Sequence, residues 1–365
     1  MTKTSRETLR IPGPTPVPPA VMEAMQREMM PHRGAAFREF YTETLRLAQR
    51  VHRTDNDVFI WPGSGSAGWE AAIVNLFSPS DRVLATVAGD FGDRFAKVAA
   101  AFGLDVRRLD VPWGQAVTPE AVRRALEETP DAKGVLVAYN ETSTALTNPL
   151  PEVAAVVRDH GALVVVDAVS AAGGLPLETD AWGLDVVLSG SQKAWMCPPG
   201  LLLMAISPRA WEAYEHARFP RYFWDFGAAR RNAANGMSPT TPPLTMLYAL
   251  RAALELIETE GLERVWERHR RVGEVVRASV AALGLQLFPD PAYASNTLTG
   301  VRPPEGIPAR DLVAAMRERH GIELEAGKGP IVDDILRIGH MGWVEEPELE
   351  RAVAAIGETL EAWYP

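Results

Sequence analysis

Seven short apolar runs separated by amphipathic stretches restrict the fold of this chain more than any other feature. They are Val58–Trp61, Val83–Val87, Val106–Leu109, Gly134–Ala138, Leu163–Val166, Val186–Leu188 and Leu201–Ile206. A strand with one face in water alternates apolar and polar residues, and Leu163-Val164-Val165-Val166 does not. Such a run is buried on both faces, which places it in a mostly parallel sheet covered by helices. Stretches such as Pro119–Glu128 and Glu152–His160 supply the helices. The chain therefore reads as α/β, with a mainly parallel seven-stranded sheet between helical layers.

The flanks add an arm and a second unit. Residues 11–19 read IPGPTPVPP. Proline lacks a backbone donor and cannot enter a helix interior or a central strand, so this segment is extended. From Ala20 to His52 the periodicity is helical, and Pro31 divides it into two helices. Around Met237–Pro243 the texture turns to Ser, Thr and Pro. A long helix follows from Leu244 to Leu283, with a break predicted near Gly261. Strands at Leu285–Phe288, Thr297–Val301, Ile322–Glu325 and Ile335–Ile338 then mix with helices at Ala309–His320 and Pro347–Trp363. The expected units are an N-terminal arm (1–19), a large domain (20–243), and a linking helix with a smaller C-terminal α+β domain (244–365).

Charge and cysteine content narrow the partners. The 365 residues carry a net charge of −10 and no basic block. Phosphodiester backbones and anionic lipid repel such a chain, so neither nucleic acid nor a membrane is an expected partner. An anionic ligand must be caught by a local pocket. The single cysteine, Cys197, excludes disulfide frameworks and multi-cysteine zinc sites within one chain, and no metal site is predicted. Met1–Arg10 is polar, unlike a secretory signal, and no run of about 18 apolar residues suggests a membrane span. The expected compartment is the cytoplasm.

Four features carry chemistry. Gly63-Ser64-Gly65-Ser66-Ala67-Gly68 lies between a strand and a helix. Glycines let the backbone approach a ligand, and the helix start offers free N–H groups to an anion such as phosphate. The spacing also satisfies G-x-G-x-x-G, with Asp90 where a dinucleotide site would place its ribose-binding acid, and a plain tight turn fits as well. Asp167 closes the run Leu163–Val166, at the strand end where doubly wound sheets collect ligands. Its apolar flanks favour burial, and a buried carboxylate requires a cationic partner. Lys193, in Ser189-Gly190-Ser191-Gln192-Lys193, ends the next strand and is followed by Ala194-Trp195-Met196. A lysine desolvated there becomes a nucleophilic amine. Arg337, inside Ile335-Leu336-Arg337-Ile338-Gly339, needs an anion, either an internal carboxylate or a ligand's. A phosphate cradle, a buried acid, a nucleophilic lysine and a carboxylate-binding arginine form the set that pyridoxal 5′-phosphate (PLP) chemistry requires.

On these residues the chain resembles the class V aminotransferases of PLP-transferase fold type I, in the alanine–glyoxylate and serine–glyoxylate (serine–pyruvate) branch. The resemblance runs from IPGPTPVPP to ILRIGHMG, and Ser-Gly-Ser-Gln-Lys with VVVDAVSAAGG upstream is its most specific part. It implies a PLP-dependent transfer of an amino group from alanine or serine to glyoxylate or pyruvate, in two half-reactions. By matched position, Lys193 would be the Schiff-base lysine and general base. Asp167 would pair with the pyridine nitrogen, Val169 would touch the ring face, and Phe91 would stack on the ring. Ser64, Gly65, Ser66 and Gln192 would hold the phosphate, joined by Thr241 from the neighbouring subunit of a homodimer. Thr142 would stand by the ring oxygen and the substrate. Arg337 would grip the substrate carboxylate, and Gly13 would line the entrance.

Two positions depart from the resemblance. Ser238 stands where the alanine–glyoxylate enzymes often carry tyrosine, and Phe91 where tryptophan is often found. Stacking survives the second change. The first leaves ureidoglycine, aspartate and aminophosphonate donors open. Other readings fit less of the chain. A nicotinamide dehydrogenase explains Gly63–Gly68 and Asp90 but leaves Asp167, Lys193 and Arg337 without a task. A PLP-dependent desulfurase or lyase needs a mobile cysteine thiolate. The only cysteine lies between Met196 and Pro198, and Gln192 rather than histidine precedes the lysine. A scaffold on a dead transferase fold is disfavoured because every reactive position is filled.

Overall fold

The computed structural model describes residues 8–363. The large sheet holds β1 (Asp57–Pro62), β2 (Arg82–Val87), β3 (Asp105–Asp110), β4 (Gly134–Ala138), β5 (Leu163–Asp167), β6 (Val186–Gly190) and β7 (Leu201–Ile206). Its order is β1-β7-β6-β5-β4-β2-β3. β7 runs antiparallel to both neighbours, and the other pairings are parallel. All seven expected runs are strands of this sheet.

Successive residues of each strand enter different cores. Val58 and Ile60 of β1 join one apolar cluster, and Phe59 and Trp61 join the other. Val164 and Val166 part from Leu163 and Val165 in the same way. Both pleat faces are dry, so the runs contain no polar alternation. The edge strand β3 differs. Asp105, Arg107, Arg108 and Asp110 are exposed there, and charge on an edge discourages pairing with another chain.

Helices connect the strands and set the site. α1 (Ala35–His52) precedes β1, α2 (Gly65–Leu76) follows it, and α3 (Asp90–Ala101) follows β2. The long helix predicted after residue 243 is two helices, α4 (Leu244–Glu260) and α5 (Leu262–Ala282). They meet at Gly261, whose φ of +88° suits glycine and ends the first helix where a break is predicted.

A second sheet contains β8 (Gln286–Leu287), β9 (Leu298–Arg302), β10 (Glu325–Ala326) and β11 (Leu336–Gly339), in the antiparallel order β8-β9-β11-β10. With α6 (Ala309–His320) and α7 (Glu346–Trp363) it encloses a third core around Val301, Leu312, Ile338 and Ile356. The single strand predicted at Ile322–Glu325 is divided. Ile322–Glu323 pairs in parallel with Thr8–Leu9, while Glu325–Ala326 joins β11. Leu324, buried between them, lets the chain change partners. The proline-rich segment is seated along its length: Gly339 N–H donates to Arg10 O, Thr15 N–H to Gln192 O, and the Thr15 hydroxyl to Lys193 O. Residues 1–7 of the expected arm, and 364–365, lie outside the described residues. Among the described residues no helix is long and apolar enough to cross a membrane.

Candidate active site

The carboxyl ends of β4, β5 and β6 and the starts of α2 and α3 converge on a small, partly open cavity of about 130 Å³. Ser64, Gly65, Ser66, Trp69, Phe91, Asn140, Thr142, Asp167, Val169, Ser170, Gln192 and Lys193 line it. Larger grooves elsewhere are open to solvent, such as the one of about 1050 Å³ along Arg27, Phe40 and Tyr248. The small cavity, not those grooves, gathers the reactive side chains.

Asp167 ends β5 and is 6% exposed. Oδ1 accepts the Val169 N–H at 2.9 Å and Oδ2 accepts Trp69 Nε1–H at 2.8 Å. Desolvation outweighs these bonds and the nearby charges of Lys193 and Arg94, and lifts the carboxyl to about 6. Such a group accepts a cationic partner readily. Lys193 follows β6, and its Nζ donates to Pro12 O at 2.5 Å. Desolvation lowers this ammonium to about 8, with Glu325 opposing and Lys328 and Arg337 assisting. About a tenth of it is therefore free amine at pH 7, far more than for an ordinary lysine. Gly13 lies directly against it. A Cβ there would stand 2.5 Å from Nζ, and its φ of +139° already excludes most side chains.

The opposite wall suits a phosphate. Ser64 N-caps α2 without any side-chain bond to the helix, and with the Ala67 N–H on Ser64 O at 3.0 Å the Gly65 and Ser66 N–H groups are the donors that suit a ligand. A Cβ on Gly65 would lie 2.3 Å from Val169 Cγ2, which explains the glycine between helix and cavity wall. Gln192 Oε1 is buried without a partner among the described residues, and an amide with an unmet bond can turn either end toward a ligand. Phe91, at the start of α3, is partly buried and lies 5.0 Å below Lys328 Nζ.

Two expected residues, Arg337 and Thr241, stand apart from the cavity wall. Arg337 on β11 is buried behind Thr142. Its Nε and Nη2 donate to Ala326 O at 3.0 and 2.7 Å, Nη2 lies 3.1 Å from Glu325 Oε1, and Nη1 donates to Thr142 O at 3.3 Å. It thus has an internal carboxylate as well as two carbonyls. Thr241 is exposed on the surface. Ser238 is buried and donates to Thr240 O at 2.6 Å. Cys197 is fully buried, and desolvation pushes its thiol far above the ordinary range, so a desulfurase reading finds no accessible thiolate. No group of three His, Cys, Asp or Glu side chains is placed to hold a metal among the described residues.

Comparison with known proteins fits this geometry. The aminotransferase class-V family model matches residues 9–336. The chain belongs to the class V aminotransferases. A Synechococcus sp. relative, named soluble hydrogenase small subunit, is 39% identical over 96% of this aminotransferase and 92% of its own length. Serine–glyoxylate aminotransferase of Methylorubrum extorquens is 35% identical, covering 97% and 91%. The crystal structure of a Nostoc sp. alanine–glyoxylate aminotransferase superposes with a TM-score of 0.94 at 32% identity, covering 98% and 96% of the two chains. The aminotransferase has the fold type I architecture, and its family implies PLP, which the cavity's amine, acid and open helix start fit.

Sequence reasoning missed Trp69, Asn140 and Ser170. Asn140 Nδ2 donates to Ser170 Oγ at 2.9 Å, and Ser170 Oγ lies 2.6 Å from Thr142 Oγ1. The signal was present for Ser170, which sits in the VVVDAVSAAGG segment. Trp69 reads from sequence as an ordinary core residue of α2.

Proposed function

We propose that this aminotransferase moves an amino group from a small amino acid, alanine or serine, to glyoxylate or pyruvate by a ping-pong mechanism. The single observation that carries the reading is the meeting of Lys193 and Asp167 in one small cavity beside the open start of α2. PLP, when bound, supplies an aldehyde carbon for the amino group and a ring that accepts the electron pair left by the departing α-proton. Lys193, its amine freed by desolvation, takes that proton and returns it. The Asp167 carboxylate, poised at about 6, keeps a proton on the ring nitrogen. Ser64, Gly65, Ser66 and Gln192 would hold the phosphate, Phe91 and Val169 would contact the ring, and Thr142 would bond its oxygen. Arg337 binds the substrate carboxylate by giving up its longest bond, to Thr142 O. Gly13 and the Pro12 carbonyl flank the entrance.

The same proposal includes a cytoplasmic homodimer in which exposed Thr241 reaches the partner's phosphate site, and the three units 1–19, 20–243 and 244–365. The test is a visible-spectrum titration of PLP-loaded protein with amino acids, then with 2-oxo acids. Alanine or serine is expected to shift the absorbance and glyoxylate or pyruvate to restore it. Failure of every amino acid to shift it sinks the reading. Lys193→Ala is expected to abolish turnover, and normal turnover in that variant removes Lys193 from its role.

A further inference from the structure

We propose that Glu141 is a positioning residue that sets the Phe91 ring against the coenzyme, an inference that rests on the PLP reading of the same cavity. Glu141 is 0% exposed and sits between Asn140 and Thr142, both of which line the cavity. Its Oε1 accepts the Ser143 hydroxyl at 2.5 Å, the Ser143 N–H at 3.2 Å and the Phe91 N–H at 3.3 Å. Oε2 accepts the Gly92 N–H at 3.0 Å. Ser143 Oγ in turn accepts the Asp90 N–H at 2.9 Å. The first three N–H groups of α3 therefore all end on one segment about fifty residues away.

Nothing local to α3 does this work. Its N-cap is Gly89, and a Cβ there would lie 2.6 Å from Glu141 Cγ, so the glycine makes room for the distant carboxylate. Four donors on two oxygens suit an ionised carboxylate, which only accepts, and the positive helix start favours the charge. Burial nevertheless outweighs these bonds and raises the carboxyl above its ordinary range, so it is the four-donor geometry that anchors the segment. The Phe91 ring is only partly buried, so the anchoring of its backbone decides where the ring stands. The adjoining Thr142 carbonyl receives Arg337 Nη1, so the same segment joins the ring wall to the arginine.

The test is a double-mutant cycle read by PLP dissociation constant and by visible circular dichroism of the bound coenzyme. The proteins are the unaltered chain, Glu141→Gln, Phe91→Ala and the double variant. Glutamine keeps the shape but turns an NH₂ toward backbone donors. Glu141→Gln is expected to weaken PLP binding about tenfold and to reduce the dichroic band, yet to cost less than about twofold when Phe91 is already alanine. Equal losses in both backgrounds, or unchanged binding and dichroism in folded Glu141→Gln, overturn the inference. Should Glu141→Gln fail to fold, Ser143→Ala takes its place in the cycle, with an expected loss of about threefold confined to the Phe91 background. An unaltered chain that takes up no PLP overturns the coenzyme reading and this inference together. Uptake with a flat cycle removes this inference alone.

Discussion

Two helices start at the same edge of the large sheet, and their first turns are treated in opposite ways. The start of α3 is closed by Glu141 and Ser143, which take its free N–H groups. The start of α2 borders the cavity, and Ser64 makes no capping bond to it. Both ends carry the same partial charge and the same donors. Both also follow a strand and a glycine. A glycine-rich helix start becomes a ligand site only when the rest of the fold leaves it open, and that depends on residues far along the chain.

The largest expected effect breaks the closed start. Glu141→Ala leaves three backbone N–H groups without their acceptor. Coenzyme-free protein is expected to lose about 3 kcal/mol in urea unfolding, taking roughly 1–3 kcal/mol for each buried group left unpaired. An unchanged midpoint would show that water replaces the carboxylate freely. Next, the open start is probed from the ligand side. Pyridoxal, which lacks the phosphate, is expected to bind about 100-fold more weakly than PLP, since charge-assisted bonds are worth about 1.5–3 kcal/mol each. Equal affinities would mean that α2 does not hold the phosphate.

A smaller effect concerns the amine between the two walls. Desolvation lowers Lys193 to about 8, so its reactive neutral form grows as pH rises and saturates above that value. The rate of PLP uptake is expected to climb about tenfold per pH unit below about 8 and then level off. A rate still climbing steadily at pH 10 contradicts the desolvated site. The smallest effect belongs to Ser64. A capping serine is ordinarily worth about 1 kcal/mol, but this one bonds nothing in α2. Ser64→Ala is expected to change stability by less than about 0.5 kcal/mol while weakening PLP binding about threefold. A full capping loss in the urea midpoint would make the two starts alike.

The large sheet was legible because its strands are dry on both faces, so Leu163–Val166 and Leu201–Ile206 announce themselves as unbroken runs. Residues whose chemistry is intrinsic were legible too: Asp167 and Lys193 are conspicuous at strand ends. Hidden were the residues whose task depends on packing. Trp69 looks like core until its Nε1–H is seen on Asp167. Glu141 looks like a loop acid until α3 is placed over it. The division of Ile322–Glu325 was invisible because it depends on Thr8–Leu9, which no local pattern links to it. Arg337 was conspicuous as a buried charge, but its bonds to Ala326 O and Glu325 come from tertiary neighbours.

The segment from Arg10 to Thr15 has a consequence for how the enzyme comes alive. Its Arg10 carbonyl is tied to Gly339 on β11, and its Pro12 carbonyl seats the Lys193 amine. On a ribosome the early segment emerges long before β11 has been made. It must wait unpaired while the middle of the chain collapses, as contacts between distant positions form late. The seat of the Lys193 amine is thus completed late, since it draws on two segments that lie far apart along the chain.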